Sequence, residues 1–297
     1  MKFVWSAAYE VELFGHVFPV SKYRLVKEAL VKAGLAAPAD FIAAAPATTE
    51  DLLLVHTRAY IEDFLNLRWT ERTAESEMAL TPEIVEAYLV AAGGTIEASR
   101  RALRDGVSIH IGGGYHHAYP DHAEGFCYIN DVAVAIARLR KDGAARRVCV
   151  VDCDLHQGNG TAVAFAREPD VFTFSIHQEN NYPPKERSDL DIGLPDGADD
   201  ALYLDKLSVV GDVLTDHRPE FCLYLAGADP FRGDMLGGLG LTIRGLKHRD
   251  ALVLEACRDR CVPVCIVFAG GYAFNIRDVV DIHVNTVAEA RRIFPQV

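Results

Sequence analysis

The stretch VCVVDCDLH, residues 148–156, runs from four apolar side chains directly into two carboxylates and an imidazole. A second apolar run, VCIVF, occupies residues 264–268. Continuous apolar runs are typical of strands that are covered on both faces, as in a parallel sheet flanked by helices. Short β-branched runs predict strands at 2–5, 107–111, 147–151, 171–176, 221–226 and 264–269. Helical patterns lie between them, at 22–32, 82–104, 131–141, 161–167, 200–217, 242–260 and 276–292.

The composition predicts one α/β domain that covers residues 1–297. Of the 297 residues, 50% are hydrophobic and 24% are charged, and the sequence shows no internal repeat or linker.

The sequence shows neither an apolar run of bilayer length nor a secretory signal, so we expect a cytoplasmic protein without a membrane partner. Seven cysteines without a Cys-x-x-Cys pair predict reduced thiols. The formal net charge of −12 argues against a nucleic-acid partner.

Two further features concern loops and assembly. The stretch 178–199, with three prolines, is too long for an ordinary connection, so we predict a functional loop there. The sequence leaves open whether the protein is a monomer or a homo-oligomer.

The polar end of the opening stretch predicts a metal site. Residues two apart project to the same side of an extended backbone, so Asp152, Asp154 and His156 share one face. Two carboxylates and an imidazole this close resist ionisation unless a cation neutralises them. Oxygen and nitrogen ligands without a thiolate suit zinc or ferrous iron in a site that keeps one position open for water.

Three other predicted strands also end in glycines followed by polar side chains. These ends are GGGYHH at 112–117, GAD at 227–229 and GGY at 270–272. Taken singly, Asp229 has an alternative interpretation as a turn residue before Pro230, and Tyr272 as a half-buried aromatic residue. In an open α/β sheet, however, ligands bind beyond the carboxyl ends of the strands. Four such ends therefore predict one active site that combines His116, His117, Asp229 and Tyr272 with the metal-binding face.

Five sequence blocks together resemble the histone deacetylase superfamily in their order and spacing. The blocks are GGGYHHA at 112–118, GFCYIND at 125–131, DCDLHQGNG at 152–160, GAD at 227–229 and GGY at 270–272. The resemblance implies the arginase/deacetylase fold and a hydrolase that removes an acyl group from a lysine-like amine. It covers nearly the whole chain and is loose outside these blocks.

The resemblance also assigns roles to individual residues. The implied ligands of a Zn²⁺ ion, with Fe²⁺ as an alternative, are Asp154, His156 and Asp229. The implied catalytic residues are His117 as general base and acid, His116 as a source of positive potential, and Tyr272 as a donor to the developing oxyanion. A structural K⁺ ion is implied near Asp152, Asp154, His156 and Ser175.

Around these residues the resemblance implies supporting groups and a substrate tunnel. Asp152 would orient His116, and Asn159 would orient His117. Phe126, next to Gly125, would form one wall of the tunnel that holds the aliphatic stem of the substrate. Tyr182, in the predicted loop, is our assignment for the opposite wall.

The chain departs from the commonest family pattern at two positions. That pattern has His at 157 and Asp at 159, whereas this chain has Gln157 and Asn159, which resembles the class IV branch and bacterial relatives. A neutral amide stabilises an imidazolium less than a carboxylate does, so we expect His117 to have a lower pKa than His116 and to be neutral at rest. The family's aspartate that anchors the substrate backbone has no clear counterpart near residues 78–82.

Several substrates and mechanisms stay open at this point. The acylated amine is either the lysine of a protein or peptide, or a small molecule such as an acetylated polyamine. An arginase-like two-metal site needs the order Asp-x-His-x-Asp, whereas this chain has Asp-x-Asp-x-His at 152–156. A non-catalytic module that binds acyl-lysine would have lost the phenol or a metal ligand, and the sequence retains all of them.

Overall fold

The computed structural model describes residues 1–13 and 15–295, and its strands form a single parallel sheet. The strands are β1 (Phe3–Val4), β2 (Phe41–Ile42), β3 (Val107–His110), β4 (Val148–Asp152), β5 (Val171–Gln178), β6 (Leu190–Leu194), β7 (Phe221–Leu225) and β8 (Val264–Val267). Their order across the sheet is β2-β1-β3-β8-β7-β4-β5-β6, and every neighbouring pair is parallel. The predicted parallel sheet is confirmed. The predicted domain, 1–297, includes positions outside the described residues.

Helices cover both faces of this sheet. They are α1 (Lys22–Lys32), α2 (Thr49–Leu52), α3 (Arg58–Leu65), α4 (Glu71–Ala74), α5 (Pro82–Asp105), α6 (Asp131–Lys141), α7 (Asn159–Phe165), α8 (Asp200–Leu207), α9 (Val210–His217), α10 (Ile243–Asp259) and α11 (Ile276–Ile293). Alternate side chains of β4 enter two different cores. Cys149 and Val151 belong to the core with α1 and α8 to α11, whereas Val148 and Val150 belong to the core with α3, α5 and α6. Burial on both faces explains the continuous apolar runs.

The structure differs from the predicted elements in four places. The two-residue edge strand β2 was not predicted. The predicted helix 200–217 is divided into α8 and α9. The predicted loop 178–199 contains β6, which is an edge strand whose Asp191 and Gly193 are exposed. Leu190, Ile192 and Leu194 alternate with these exposed residues, so β6 lacks the β-branched apolar run on which the strand predictions relied. The short helices α2 to α4 were also not predicted, because one or two turns are too short for a clear helical period.

The sheet order brings the four motif-bearing strands together. β3, β8, β7 and β4 are consecutive in the centre of the sheet, and parallel strands end at the same edge. The segments that follow these strands carry the histidine pair, Tyr272, Asp229 and the polar face of residues 152–156. Sheet topology therefore explains why residues far apart in sequence meet.

The seven cysteines are free thiols. In the described part of the chain, every helix is too short or too polar to cross a membrane.

One buried guanidinium ties together the ends of β4 and β7. Arg249, on α10, is fully buried and donates hydrogen bonds to the carbonyl oxygens of Cys153, at 3.3 Å, and Gly227, at 2.5 Å. Its charge is paired with Asp250 at 2.8 Å. The Asp250 carboxylate also accepts hydrogen bonds from the hydroxyls of Tyr224, at 2.5 Å, and Thr286, at 2.6 Å. The loops that carry the candidate ligands thus depend on a buried ion pair.

We predict that Arg249→Met lowers the free energy of unfolding by about 3–5 kcal/mol, because the change leaves the Asp250 carboxylate buried without its cation. The matched control is Arg258→Met on the same helix, since Arg258 pairs with Asp259 on the exposed surface. The control is expected to change stability by at most about 0.5 kcal/mol. Urea unfolding followed by circular dichroism measures both variants. Equal unfolding midpoints would contradict the proposed anchoring role.

Candidate metal centre

Asp154, His156 and Asp229 converge in a buried cluster. One potential ligand atom from each residue lies within 4.8 Å of the other two. The Nδ1 atom of His156 is 3.3 Å from Oδ1 of Asp154 and 3.5 Å from Oδ2 of Asp229. Ligands about 2.0–2.2 Å from a tetrahedral zinc ion are separated from each other by about 3.3–3.6 Å. The spacing of these atoms therefore fits a single divalent ion.

The hydrogen bonds of the two carboxylates support the same conclusion. Asp154 accepts a hydrogen bond from the amide of Gly270 at 2.8 Å, and Oδ1 of Asp229 accepts one from Leu155 at 2.9 Å. Oδ2 of Asp229, however, is buried and has no hydrogen-bond partner within the described residues. Because a buried carboxylate oxygen without a partner is costly, this atom is poised to bind a cation.

The glycines next to the cluster permit close packing around it. A side chain at Gly270 would overlap carboxylate oxygens of both Asp229 and Asp154. A Cβ atom at Gly227 would lie 2.7 Å from an oxygen of each of the same two residues. Both positions thus require glycine, because the backbone could not otherwise approach the candidate ligands so closely.

The cluster holds a proton when no metal is bound. Burial alone would lower the pKa of His156, but the carboxylates of Asp154 and Asp229 outweigh burial and raise that pKa to about 10. Burial and the charge of Asp154 raise the pKa of Asp229 to about 6. A metal ion therefore competes with protons for these ligands.

Two histidines of different character lie beside the cluster. The Nδ1–H group of His116 donates to Asp152 at 2.6 Å, and that of His117 faces Oδ1 of Asn159 at 2.8 Å. Burial opposes charging of His116, but Asp152 and Asp154 raise its pKa to about 9. Burial and the charge of His116 lower the pKa of His117 well below its ordinary value. The ring centroids are 4.2 Å apart, so a charged and a neutral imidazole lie side by side.

A narrow cavity connects the cluster with the surface. Its inner part, about 20 Å³, is large enough for one water molecule and is lined by Asp154, His156, Tyr272 and the histidine pair. An outer cavity of about 240 Å³ shares several of these lining residues. The predicted tunnel residues Phe126, Tyr182 and Gly125 all line this outer cavity. The ring of Tyr182 lies 5.4 Å from that of His117, between centroids.

Phe126 has an unusual backbone conformation. Its φ angle is +64°, which is uncommon for a residue with a Cβ atom. The Phe126 amide donates to the backbone carbonyl of Ser76 at 3.0 Å, and the hydroxyl of Tyr88 donates to the Phe126 carbonyl. These contacts hold the ring in the wall of the outer cavity, with its centroid 6.0 Å from that of the Tyr272 ring.

The candidate potassium residues lie at the neighbouring end of β5. Ser175 is paired with Asp152 in the sheet register. Its hydroxyl forms a hydrogen bond with Nδ1 of His177 at 2.9 Å. The structure thus brings Ser175 next to the strand end that carries Asp154 and His156, and a potassium ion there stays a prediction.

Two residues that the sequence analysis missed hold the Tyr272 turn. Lys22, which is fully buried, donates to the carbonyl of Ala269 at 2.7 Å, and its Nζ atom lies 5.6 Å from the ring centroid of Tyr272. Asp234 accepts a hydrogen bond from the Tyr272 amide at 2.7 Å. In the sequence, Lys22 is indistinguishable from a surface lysine of a helix. The only signal for Asp234 was its position five residues after Asp229.

Comparison with known proteins places this site in a family. The family model "Histone deacetylase domain" matches residues 16–287. The chain is 40% identical to an uncharacterized protein of Picosynechococcus over 283 residues, which cover 94% of each chain. It is 31% identical to the histone deacetylase-like amidohydrolase of Pseudomonas aeruginosa, over 87% of this chain and 73% of that protein. A crystal structure of a histone deacetylase homolog complexed with SAHA matches with a TM-score of 0.83 and 25% identity, covering 100% of this chain and 84% of that one. The resemblance and the arginase/deacetylase fold that the motifs predicted are confirmed.

We predict that metal-free protein binds one Zn²⁺ ion per chain and releases about one proton near pH 7, because His156 must lose its proton to become a ligand. The affinity is therefore expected to rise with pH toward about 10, by about tenfold per pH unit for each proton released. Below pH 6, protonation of Asp229 weakens binding further. Calorimetry in two buffers with different ionisation enthalpies counts the protons.

Asp229→Asn is expected to abolish tight binding in the same titration. The control is Asp216→Asn, which removes an exposed carboxylate on α9 and should leave binding intact. Zinc binding that is independent of the buffer, or unchanged in Asp229→Asn, would refute this assignment.

Proposed function

The chain belongs to the histone deacetylase family, and on that premise we propose that it is a zinc-dependent deacylase that hydrolyses acyl-lysine. The observation that carries the proposal is the arrangement of the inner cavity. Candidate metal ligands, one charged and one neutral histidine, and a buried tyrosine meet around a space the size of one water molecule. Metal-assisted amide hydrolysis requires these elements: a metal site, a base and a donor to the oxyanion.

Asp154, His156 and Asp229 would hold the zinc ion, and Fe²⁺ fits the same set of ligands. When bound, the ion would supply Lewis acidity toward the scissile carbonyl and lower the pKa of water in the site. The unpartnered Oδ2 atom of Asp229 supports this assignment. The structural K⁺ ion is proposed near Ser175 at the adjacent strand end.

The histidines would divide the work of proton transfer. His117 is neutral, and its Nδ1–H group faces Asn159, so its Nε2 atom is free to accept a proton from the attacking water. The resulting imidazolium would then donate that proton to the leaving amine. His116 would remain charged beside Asp152 and supply positive potential to the reacting carbonyl.

Tyr272 would stabilise the negative charge that develops on the carbonyl oxygen. Burial and the charge of Asp229 raise its pKa well above the ordinary value, so the hydroxyl keeps its proton and can donate it in a hydrogen bond. Lys22 and Asp234 would fix the turn that presents the hydroxyl. Phe126 and Tyr182 would contact the aliphatic stem of the substrate from opposite sides.

A second candidate substrate is a small acylated polyamine, and one surface feature favours cationic carriers. A groove of about 770 Å³ lies beside the tunnel and is lined by five glutamates: Glu10, Glu12, Glu77, Glu83 and Glu86. Glu77 also lines the outer tunnel cavity, so the groove continues from the tunnel mouth. A polyamine and a lysine-rich peptide would both place positive charge in this groove.

We predict that Tyr272→Phe lowers kcat on a fluorogenic acyl-lysine peptide by roughly 10²- to 10³-fold with little change in KM, because the lost hydrogen bond acts in the transition state. Chelation should abolish turnover, and added zinc should restore it. The matched control is Tyr60→Phe, whose hydroxyl bonds the carbonyl of Tyr128. Turnover that survives chelation would exclude a metal-dependent deacylase. Peptide binding without any turnover would instead favour the non-catalytic module.

We predict that acyl-lysine peptides with flanking lysines, and acetylated polyamines, are hydrolysed faster than peptides with flanking glutamates. The advantage should shrink as salt rises, because the groove is open to solvent. Glu12→Gln combined with Glu86→Gln should reduce the advantage by roughly two- to fivefold. Glu50→Gln combined with Glu62→Gln removes the same charge from another exposed surface and serves as the control. Equal rates for cationic and anionic carriers at low salt would rule out this role of the groove.

A further inference from the structure

The side chain that orients His117 is itself held by a carboxylate. Asn159 is fully buried, and its Oδ1 atom faces Nδ1 of His117 at 2.8 Å. Its Nδ2 group donates to Oε1 of Glu124 at 2.9 Å and to the hydroxyl of Tyr119 at 3.2 Å. We propose that Glu124 is a positioning residue that fixes the orientation of the Asn159 amide and thereby the tautomer of His117. This inference rests on the proposed role of His117 as the base.

The hydrogen-bonding capacity of each atom determines the orientation of the amide. A carboxylate only accepts hydrogen bonds, so Glu124 requires the NH₂ end of the amide to point toward it. The oxygen end is then turned to His117, where it accepts from Nδ1–H and leaves Nε2 without a proton. The hydroxyl of Tyr119 donates to Oε1 of Glu186 at 3.2 Å, so it accepts from the same NH₂ group of Asn159. As a neutral acceptor it favours the same orientation more weakly than the carboxylate does.

Without Glu124, only the longer contact with the neutral hydroxyl of Tyr119, at 3.2 Å, would oppose rotation of the Asn159 amide by half a turn. Its NH₂ group would then donate to Nδ1 of His117, and the ring would carry its proton on Nε2. That tautomer cannot accept a proton from water. The carboxylate of Glu124 thus excludes the inactive arrangement through a residue that contacts neither substrate nor metal.

Glu124 is well placed for this role. Its backbone amide donates to the Cys127 carbonyl at 3.0 Å, and its Oε1 atom also accepts from the hydroxyl of Tyr182 at 2.9 Å. Nε2 of His122 lies 3.7 Å from the other oxygen. Burial disfavours the charged form, but the contacts from His122, Tyr182 and Asn159 outweigh burial and lower the pKa of Glu124. The side chain is therefore an ionised acceptor at neutral pH.

The pair Asn159 and Glu124 also explains how this chain functions with an amide where the commonest family pattern has an aspartate. A carboxylate at position 159 would accept from His117 without any help. In this chain, however, it would lie against a second carboxylate at 2.9 Å. The two positions are therefore expected to depend on each other.

A double-mutant cycle tests this dependence in the zinc-loaded protein. Asn159→Asp should lower kcat by roughly 10- to 100-fold, because the new carboxylate faces Glu124. Glu124→Gln should lower kcat by a smaller factor, because a glutamine can satisfy either orientation of the amide. The double variant should recover most of the activity, since the glutamine NH₂ group can donate to the aspartate. Independent, multiplicative losses would overturn the proposal.

Tyr182→Phe is the matched control, because it removes a different hydrogen bond to the same oxygen of Glu124. A structural effect through the tunnel wall would appear in this variant as well and would raise KM. The proposal expects Glu124→Gln to change kcat with KM nearly constant. If Tyr182→Phe reproduces the full loss of kcat, Glu124 acts through the tunnel and not through Asn159.

A spectroscopic measurement separates this inference from the proposed function. In protein labelled with ¹⁵N-histidine and loaded with zinc, the signals of His117 are assigned by their loss in His117→Gln. The wild-type ring should be protonated on Nδ1, and Glu124→Leu should shift the population toward protonation on Nε2. An unchanged tautomer would overturn the role of Glu124. Because this readout needs no substrate, it remains decisive even if no acylated amine is hydrolysed and the proposed function fails.

Discussion

The negative charge concentrated at the ends of β4 and β7 is the constraint on which the rest of the site depends. Asp152, Asp154 and Asp229 are all buried there, and a low dielectric makes unneutralised carboxylates costly. His116 balances Asp152, whereas Asp154 and Asp229 share the imidazole of His156. One proton on that imidazole leaves part of the charge without a partner. A divalent cation would replace the proton and neutralise both carboxylates, so the same electrostatics that disfavours the metal-free cluster favours metal binding.

Holding these carboxylates together requires parts of the chain that take no part in the chemistry. Arg249 fixes the two loops by donating hydrogen bonds to a carbonyl oxygen of each. Gly270 lets the neighbouring turn approach within hydrogen-bond distance of Asp154. Lys22 and Asp234 then hold the end of that turn, which carries Tyr272. The candidate metal ligands and the proposed oxyanion donor are therefore positioned by one continuous set of contacts, and the geometry of the ligands depends on the packing around Tyr272.

The sequence predicted the parts of this arrangement that have a local signature. Central strands such as β4 are buried on both faces and leave an apolar run, and the candidate ligands directly follow these runs. The edge strands β2 and β6 lack a continuous apolar run, and the short helices α2 to α4 lack a long helical period, so these elements were missed. Lys22, Asp234 and Glu124 were missed for a different reason, because their roles arise from tertiary contacts. Lys22 meets Ala269 across 247 residues of sequence, and no periodicity records such a contact.

The two adjacent histidines show how neighbouring groups assign different tasks to the same side chain. Their rings are 4.2 Å apart in a buried site, so charging one imidazole disfavours charging the other. If both imidazoles had a carboxylate neighbour, neither would be clearly favoured to carry the charge. Asp152 stabilises the charge on His116, whereas the neutral amide of Asn159 orients His117 without stabilising a second proton on its Nε2 atom. The departure from the commonest family pattern at position 159 therefore need not weaken the proposed base, His117. The negative charge lies instead on Glu124, on the far side of Asn159 from His117. There it still orients the amide, but it lies too far from the ring to stabilise a second proton on it at rest.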